Sequence, residues 1–180
     1  GSLPTLPNCL CEFICDDNRL IELDLIHAPG LLEIDCINNH LTSLNLTHLQ
    51  GLYKLGCGYN QLTTLDLTPI PRLQELSCNE NQLTNLDLTP VPELRWLFCR
   101  DNQLTGLNLT PVPGLRWLLC SNNQMNALDL THVPELQQLA CCSNELTELD
   151  LTPVSDLKAL FCDASVSIKN PPPNLEVHRR

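Results

Sequence analysis

Residues 73–83 read LQELSCNENQL. In Glu75-Leu76-Ser77-Cys78 every second side chain is apolar, the period of a β-strand with one face buried. Leu76 and Cys78 point inward; Glu75, Ser77 and Asn79 point outward. The same phase returns along the chain without an insertion. Cys15, Cys36, Cys57, Cys78, Cys99, Cys120, Cys141 and Cys162 are each 21 residues apart. Leu31, Leu52, Leu73, Leu94, Leu115, Leu136 and Leu157 hold a second column, and the unit reads LxxLxCxxNxLTxLDLTPVPx. A strand this short cannot bury its face alone. Stacked copies pair as a parallel sheet, about 4.8 Å per repeat.

Three residues after each of the first seven ladder cysteines stands Asn18, Asn39, Asn60, Asn81, Asn102, Asn123 or Asn144; the eighth repeat has Ser165. An asparagine there turns the chain off the strand, and its amide can bond buried backbone groups of the neighbouring repeat. The Thr-Pro-Val-Pro segment cannot be helix interior or central strand, because each proline fixes φ and lacks a donor. An extended, polyproline-like return path is expected on the convex side, with little or no helix.

This unit resembles the leucine-rich repeat family, whose signature is LxxLxLxxNxL; residues 73–83 match it with Cys78 in the third leucine slot. The resemblance covers roughly residues 10–165. The LTxLDLT half looks like bacterial 21-residue repeats of surface proteins, and the opening LPTLPNCL looks like repeats of secreted bacterial ubiquitin-ligase effectors. It implies a mainly β, right-handed solenoid used for recognition, with a parallel concave sheet of about eight short strands. Residues 1–9 are expected to be an N-terminal cap with a Gly-Ser expression scar, 10–165 the solenoid with a degenerate last repeat, and 166–180 a C-terminal cap or a linker. In a cap, Leu175 and Val177 would turn inward over the last open edge.

Composition narrows the partners. The 180 residues carry a net charge of −11, which opposes nucleic acid and anionic membrane surfaces. No apolar run reaches the length of a membrane span. The chain reads as a monomer and as a fragment of a larger protein.

The eleven cysteines cannot all pair internally. Ladder members replace leucine and read as buried thiols; a disulfide between neighbouring strands would strain the stack. Free thiols favour a reducing compartment, such as the host cytosol entered by a secreted bacterial effector, with the cell surface as the alternative. Cys9, Cys11 and Cys15 crowd one end, as cap packing or as incomplete metal ligands. Cys142 follows ladder Cys141 and should be among the fastest thiols to react. His27, His48 and His132 occupy the slot that holds proline elsewhere, so loop geometry explains them better than a metal does. Asn45 and Asn108 open Asn-Leu-Thr sequons where other repeats have Asp. No metal site, cofactor or catalytic residue is expected: no nucleophile–base pair or Gly-rich phosphate loop occurs, and the carboxylates fall in the columns of a solvated face.

The outward positions lie three before, one before, one after and two after each ladder cysteine. Early repeats fill them with Glu12, Asp16, Asp17, Glu33 and Asp35. The third supplies Lys54, Gly56, Gly58 and Tyr59, a low spot beside an aromatic. The fifth supplies Trp96, Phe98, Arg100 and Asp101, the sixth Trp117, Leu119, Ser121 and Asn122, and the eighth Phe161. Arg95 and Arg116 stand at the rim. Nothing in the repeat requires tryptophan where other repeats have Glu, Lys, Gln or Ala. An exposed cluster of this kind marks an interface, and Trp and Arg are common hot-spot residues. Two readings remain: the indoles pack on one another or on another segment of the same protein, or they bind a partner. A protein ligand on the concave face is the first expectation. The alternative is a glycan held by the indoles beside Asp101, Asn122 and Gln103.

Overall fold

The computed structural model describes residues 10–180, so the expectations for residues 1–9, including Cys9, lie outside the described residues. The elements are eleven short strands: β1 Glu12–Ile14, β2 Glu33–Asp35, β3 Lys54–Gly56, β4 Glu75–Ser77, β5 Trp96–Phe98, β6 Trp117–Leu119, β7 Gln138–Ala140, β8 Glu148–Asp150, β9 Ala159–Cys162, β10 Ser167–Lys169 and β11 Glu176–Arg179. Nine of them form one parallel sheet in the order β1-β2-β3-β4-β5-β6-β7-β9-β11. No helix occurs among the described residues. From β1 through β7 to β9 each step is in register with the 21-residue repeat: Leu55 pairs with Leu76, Leu76 with Leu97 and Leu97 with Leu118; the last step departs from it, Leu160 pairing with Val177.

The core is the stack of inward columns. Leu73, Leu76, Cys78 and Leu83 of one repeat are fully buried, as are Leu94, Leu97, Cys99 and Leu104 of the next. Each buried leucine contributes about 1.5–3 kcal/mol relative to an exposed one. All eight ladder cysteines are buried, and none is in a disulfide. Burial pushes their thiols up, Cys78 and Cys120 to about 12. Cys36 donates its thiol hydrogen to the Gly56 carbonyl at 3.3 Å.

Between the core and the ladder runs the asparagine column. Asn81 Nδ2 donates to the carbonyls of Cys57 at 3.0 Å, Cys78 at 3.2 Å and Asn79 at 3.2 Å. Its Oδ1 accepts from the N–H of Leu62 at 2.9 Å. One side chain thus satisfies backbone groups of two repeats where water cannot reach them. Asn39, Asn60, Asn102, Asn123 and Asn144 repeat the arrangement.

The residue two past each ladder cysteine lies in the left-handed region: Asp17, Asn38, Tyr59, Glu80, Asp101, Asn122 and Ser143 all have φ between 51° and 56°. Side chains other than Gly and Asn are disfavoured there. The repeated Asp-Asn and Asn-Asn dipeptides are the sequence signal for this column.

The return path differs from the expected extended run. It is two turns in succession: Ile70 N–H donates to the Leu67 carbonyl at 3.0 Å, and Leu73 N–H to the Ile70 carbonyl at 3.2 Å. Pro71 sits second in the second turn, where its fixed φ is favoured. Before the turns, Asp66, Asp87, Asp129 and Asp150 each accept the N–H of the threonine two residues on, at 2.9 Å. The threonine hydroxyls and N–H groups hold these carboxyls below the usual range. Asn45 and Asn108 make the same bond, to Thr47 at 3.0 Å and Thr110 at 3.1 Å. Their sequons are therefore accounted for by the turn.

The C-terminal residues add strands. β10 pairs with β8 in a second, two-stranded sheet, and β11 pairs with β9 over four residues, making the ninth strand of the main sheet. Leu175 is half-buried against the core. Val177 has the inward phase, opposite Leu160, but remains 39% exposed at the sheet's last strand instead of packing inward as expected.

Candidate functional site

The outward face of the sheet has two halves of different chemistry. Its C-terminal half is apolar. Trp96 pairs with Trp117, and Phe98 with Leu119, across the β5–β6 ladder. Trp117 is 41% exposed, while Trp96, Phe98 and Leu119 are half-buried. The row one before the ladder cysteine continues Phe98, Leu119, Ala140, Phe161. Strand alternation fixes this: Leu97, Leu118, Leu139 and Leu160 occupy the inward phase, so their neighbours must face out.

Phe161, expected as an open part of the surface, is covered. The His178 ring on β11 stacks on it, with centroids 4.4 Å apart and planes 13° from parallel. The periodicity broke at Ser165, so no sequence signal aligned His178 with Phe161.

The arginines expected to frame the indoles are already engaged in part. Arg100 Nη2 donates to the Tyr59 hydroxyl at 3.1 Å and lies 3.3 Å from Glu80 Oε1; its Nε lies 3.4 Å from Asp101 Oδ2. It therefore ties Tyr59, two repeats away, to the fifth repeat. Arg116 lies 3.4 Å from Glu135 on the rim. Arg95 makes no ion pair among the described residues; its Nη1 hangs over Gly114, 3.6 Å from where a Cβ there would stand.

The N-terminal half is acidic. Glu12, Glu33, Lys54 and Glu75 form one row across β1–β4. Lys54 sits 4.0 Å from both Glu33 and Glu75, and Tyr53 on the rim donates its hydroxyl to Glu33. In the parallel row Asp35 approaches Asp16. Burial, followed by the hydrogen bond and charge of Asp16, raises the Asp35 carboxyl to about 6. Gly56 and Gly58, expected as a low exposed spot, are buried. A Cβ at Gly56 would come within 2.5 Å of Asp35 Oδ1, so the carboxylate closes over the backbone that the missing side chain leaves open.

Cys142, expected among the most reactive thiols, is half-buried. Burial and then the Asp163 charge raise its thiol, which reduces the fraction present as the reactive thiolate. Among the described residues no group of three or more His, Cys, Asp or Glu is arranged to hold a metal ion. No helix among them is long and apolar enough to cross a membrane.

Structures with the same architecture are known. The functional domain of InlJ from Listeria monocytogenes, described as including a cysteine ladder, superposes with a TM-score of 0.89 at 32% identity, over 99% of this chain and 42% of that one. The chain belongs to the leucine-rich repeat family. YopM from Yersinia pestis, described as a leucine-rich effector protein, gives a TM-score of 0.78 at 25% identity over 97% of this chain and 55% of its own. The leucine-rich repeat protein LIC12759 from Leptospira interrogans shares the fold, with a TM-score of 0.69 at 24% identity, 89% of this chain and 52% of its own being covered. This leucine-rich repeat chain thus spans about half, or less than half, the length of these proteins. No protein-family model matches it, and no curated protein matches its sequence.

Proposed function

We propose that the chain is a protein-recognition module that binds its partner on the concave face, with Trp96 and Trp117 at the centre of the site. The observation that carries this reading is the in-register pair of indoles on adjacent strands, flanked by Phe98 and Leu119, at positions where the fold imposes no aromatic requirement. Such a cluster is a liability unless something covers it. Similarity to a leucine-rich effector and to a functional domain from bacteria supports a module of a larger bacterial protein, such as a secreted effector. Any catalytic chemistry would belong to parts outside this chain. The buried thiols are compatible with action in a reducing compartment.

A glycan-binding or cell-surface adhesion role is the competing reading. It is less well supported, because the polar groups beside the indoles already bond each other: Asn122 Nδ2 donates to Asp101 Oδ1 at 2.6 Å. The deciding experiment is a binding comparison between wild type and the Trp96→Ala/Trp117→Ala double variant, with urea midpoints measured in parallel. Truncating either indole should cost binding by about 2 kcal/mol or more while leaving folding nearly unchanged. A double variant that binds normally, or that fails to fold, makes the indoles structural. Quenching of tryptophan fluorescence by simple sugars would favour the glycan.

A further inference from the structure

The apolar and acidic halves lie on one continuous sheet face, and their charges are balanced differently. Around the indoles, Arg100 is held by Glu80 and Asp101, and Arg116 by Glu135. Over β1–β4 the carboxylates outnumber the cations: Lys54 is the single basic residue at the outward positions of these four repeats. Its two bridges, at 4.0 Å each, are long and exposed, and pairs of this kind neutralise little. Asp16 and Asp35 crowd each other, and the nearby Lys54 charge offsets this only in part, since burial and Asp16 still raise the Asp35 carboxyl. An incoming positive group would relieve that repulsion, whereas phosphate would add to it.

We propose, resting on the protein-recognition reading above, that the concave face takes one protein segment of mixed character: an aromatic or aliphatic block over Trp96, Phe98, Trp117 and Leu119, and a Lys/Arg block over the carboxylates of β1–β4. The dimensions suit a single segment. From β2 to β5 is three strand steps, about 14 Å at the usual strand spacing. An extended chain covers that distance in about four or five residues and a helix in about ten. The two blocks are therefore close in the partner's sequence. The apolar block supplies the affinity through desolvated contact, and the basic block supplies orientation and association rate. The raised Asp35 carboxyl adds a consequence: protonation as pH falls below about 6 weakens the acidic half's hold on the basic block and leaves the apolar half intact.

The test is selection from a displayed library of random short peptides on the immobilised wild-type chain. The selected peptides are expected to carry net positive charge with an aromatic or aliphatic cluster nearby. Their affinity should fall about tenfold or more in Glu33→Gln/Asp35→Asn/Glu75→Gln, and similarly between about 50 mM and 500 mM salt. Enrichment of neutral or acidic peptides, or of none, overturns the mixed-segment proposal, as does quenching of wild-type fluorescence by simple sugars without peptide selection. Peptides that lose binding to Trp96→Ala/Trp117→Ala uphold concave recognition whatever their charge. Peptides of any charge that bind that variant undiminished overturn the recognition reading and the proposal with it.

Discussion

Asp16 and Asp35, from successive repeats, converge on one backbone donor, the N–H of Ile37, at 3.1 Å and 3.4 Å. Two carboxylates at one site cannot both ionise freely, and the Asp35 carboxyl is raised from 3.8 to about 6 by burial and by Asp16. A carboxyl raised by folding favours the native state when protonated. Its contribution is complete below 3.8 and lost as pH rises through about 6. Asp35→Asn should therefore raise the urea midpoint at about pH 8, and the advantage should shrink toward about pH 4. Solvent screening at this half-buried site keeps the effect modest. A variant less stable than wild type at the alkaline end would show that the carboxylate is needed in its charged form.

Asn81 satisfies three carbonyls and one N–H from two repeats. Asn81→Ala leaves the buried Cys57 and Cys78 carbonyls and the Leu62 N–H without this partner, while the Asn79 carbonyl keeps the Tyr59 N–H, and should cost about 1–3 kcal/mol. The chemical-denaturation midpoint checks this; an unchanged midpoint would mean that water or a relaxed backbone takes over the bonds.

Much of this was legible in the sequence because the repeat has no insertions. Once Cys99 and Cys120 are 21 residues apart, Trp96 must pair with Trp117, and strand alternation must turn both outward. The asparagine column was legible for the same reason. What stayed hidden depends on tertiary detail. The left-handed φ at Tyr59 and Glu80 is imposed by the stacked ladder against their own preference. The burial of Gly56 follows from where Asp35 points. The covering of Phe161 depends on a strand beyond the triple proline, where no consensus residue marks the register of His178.

The thiols should separate by environment. Alkylation under native conditions, read by peptide mass mapping, is expected to spare all eight ladder cysteines, which are buried with raised thiols or cut off from solvent. Exposed Cys11 should react before Cys142, whose thiol is raised by burial and Asp163. Rapid labelling of Cys99 or Cys120 in folded protein would mean that the ladder opens far more readily than its packing implies.

The proline slot of the return path gives a paired test. Pro69, Pro90, Pro111 and Pro153 fill it in four repeats, and His27, His48 and His132 in three others. His48 alone of these histidines has a positive φ, 75°. It is the third residue of a turn in which Leu49 N–H donates to the Leu46 carbonyl at 3.2 Å, the position where a type II turn demands φ above zero. Proline is locked near −65° and cannot take that conformation. At His132 the flanking threonine and following Val133 match the proline-containing repeats, and Val133 N–H closes the same turn on Leu130 at 3.2 Å. His132→Pro should therefore raise stability by about 0.4–1 kcal/mol through the unfolded chain, whereas His48→Pro should lower it by more than that. His48→Gly, which accepts positive φ without a Cβ clash, should be neutral or stabilising. Urea midpoints for the three variants check the pattern. If both proline variants shift in the same direction, the two turns are alike in solution and the second repeat has no special backbone.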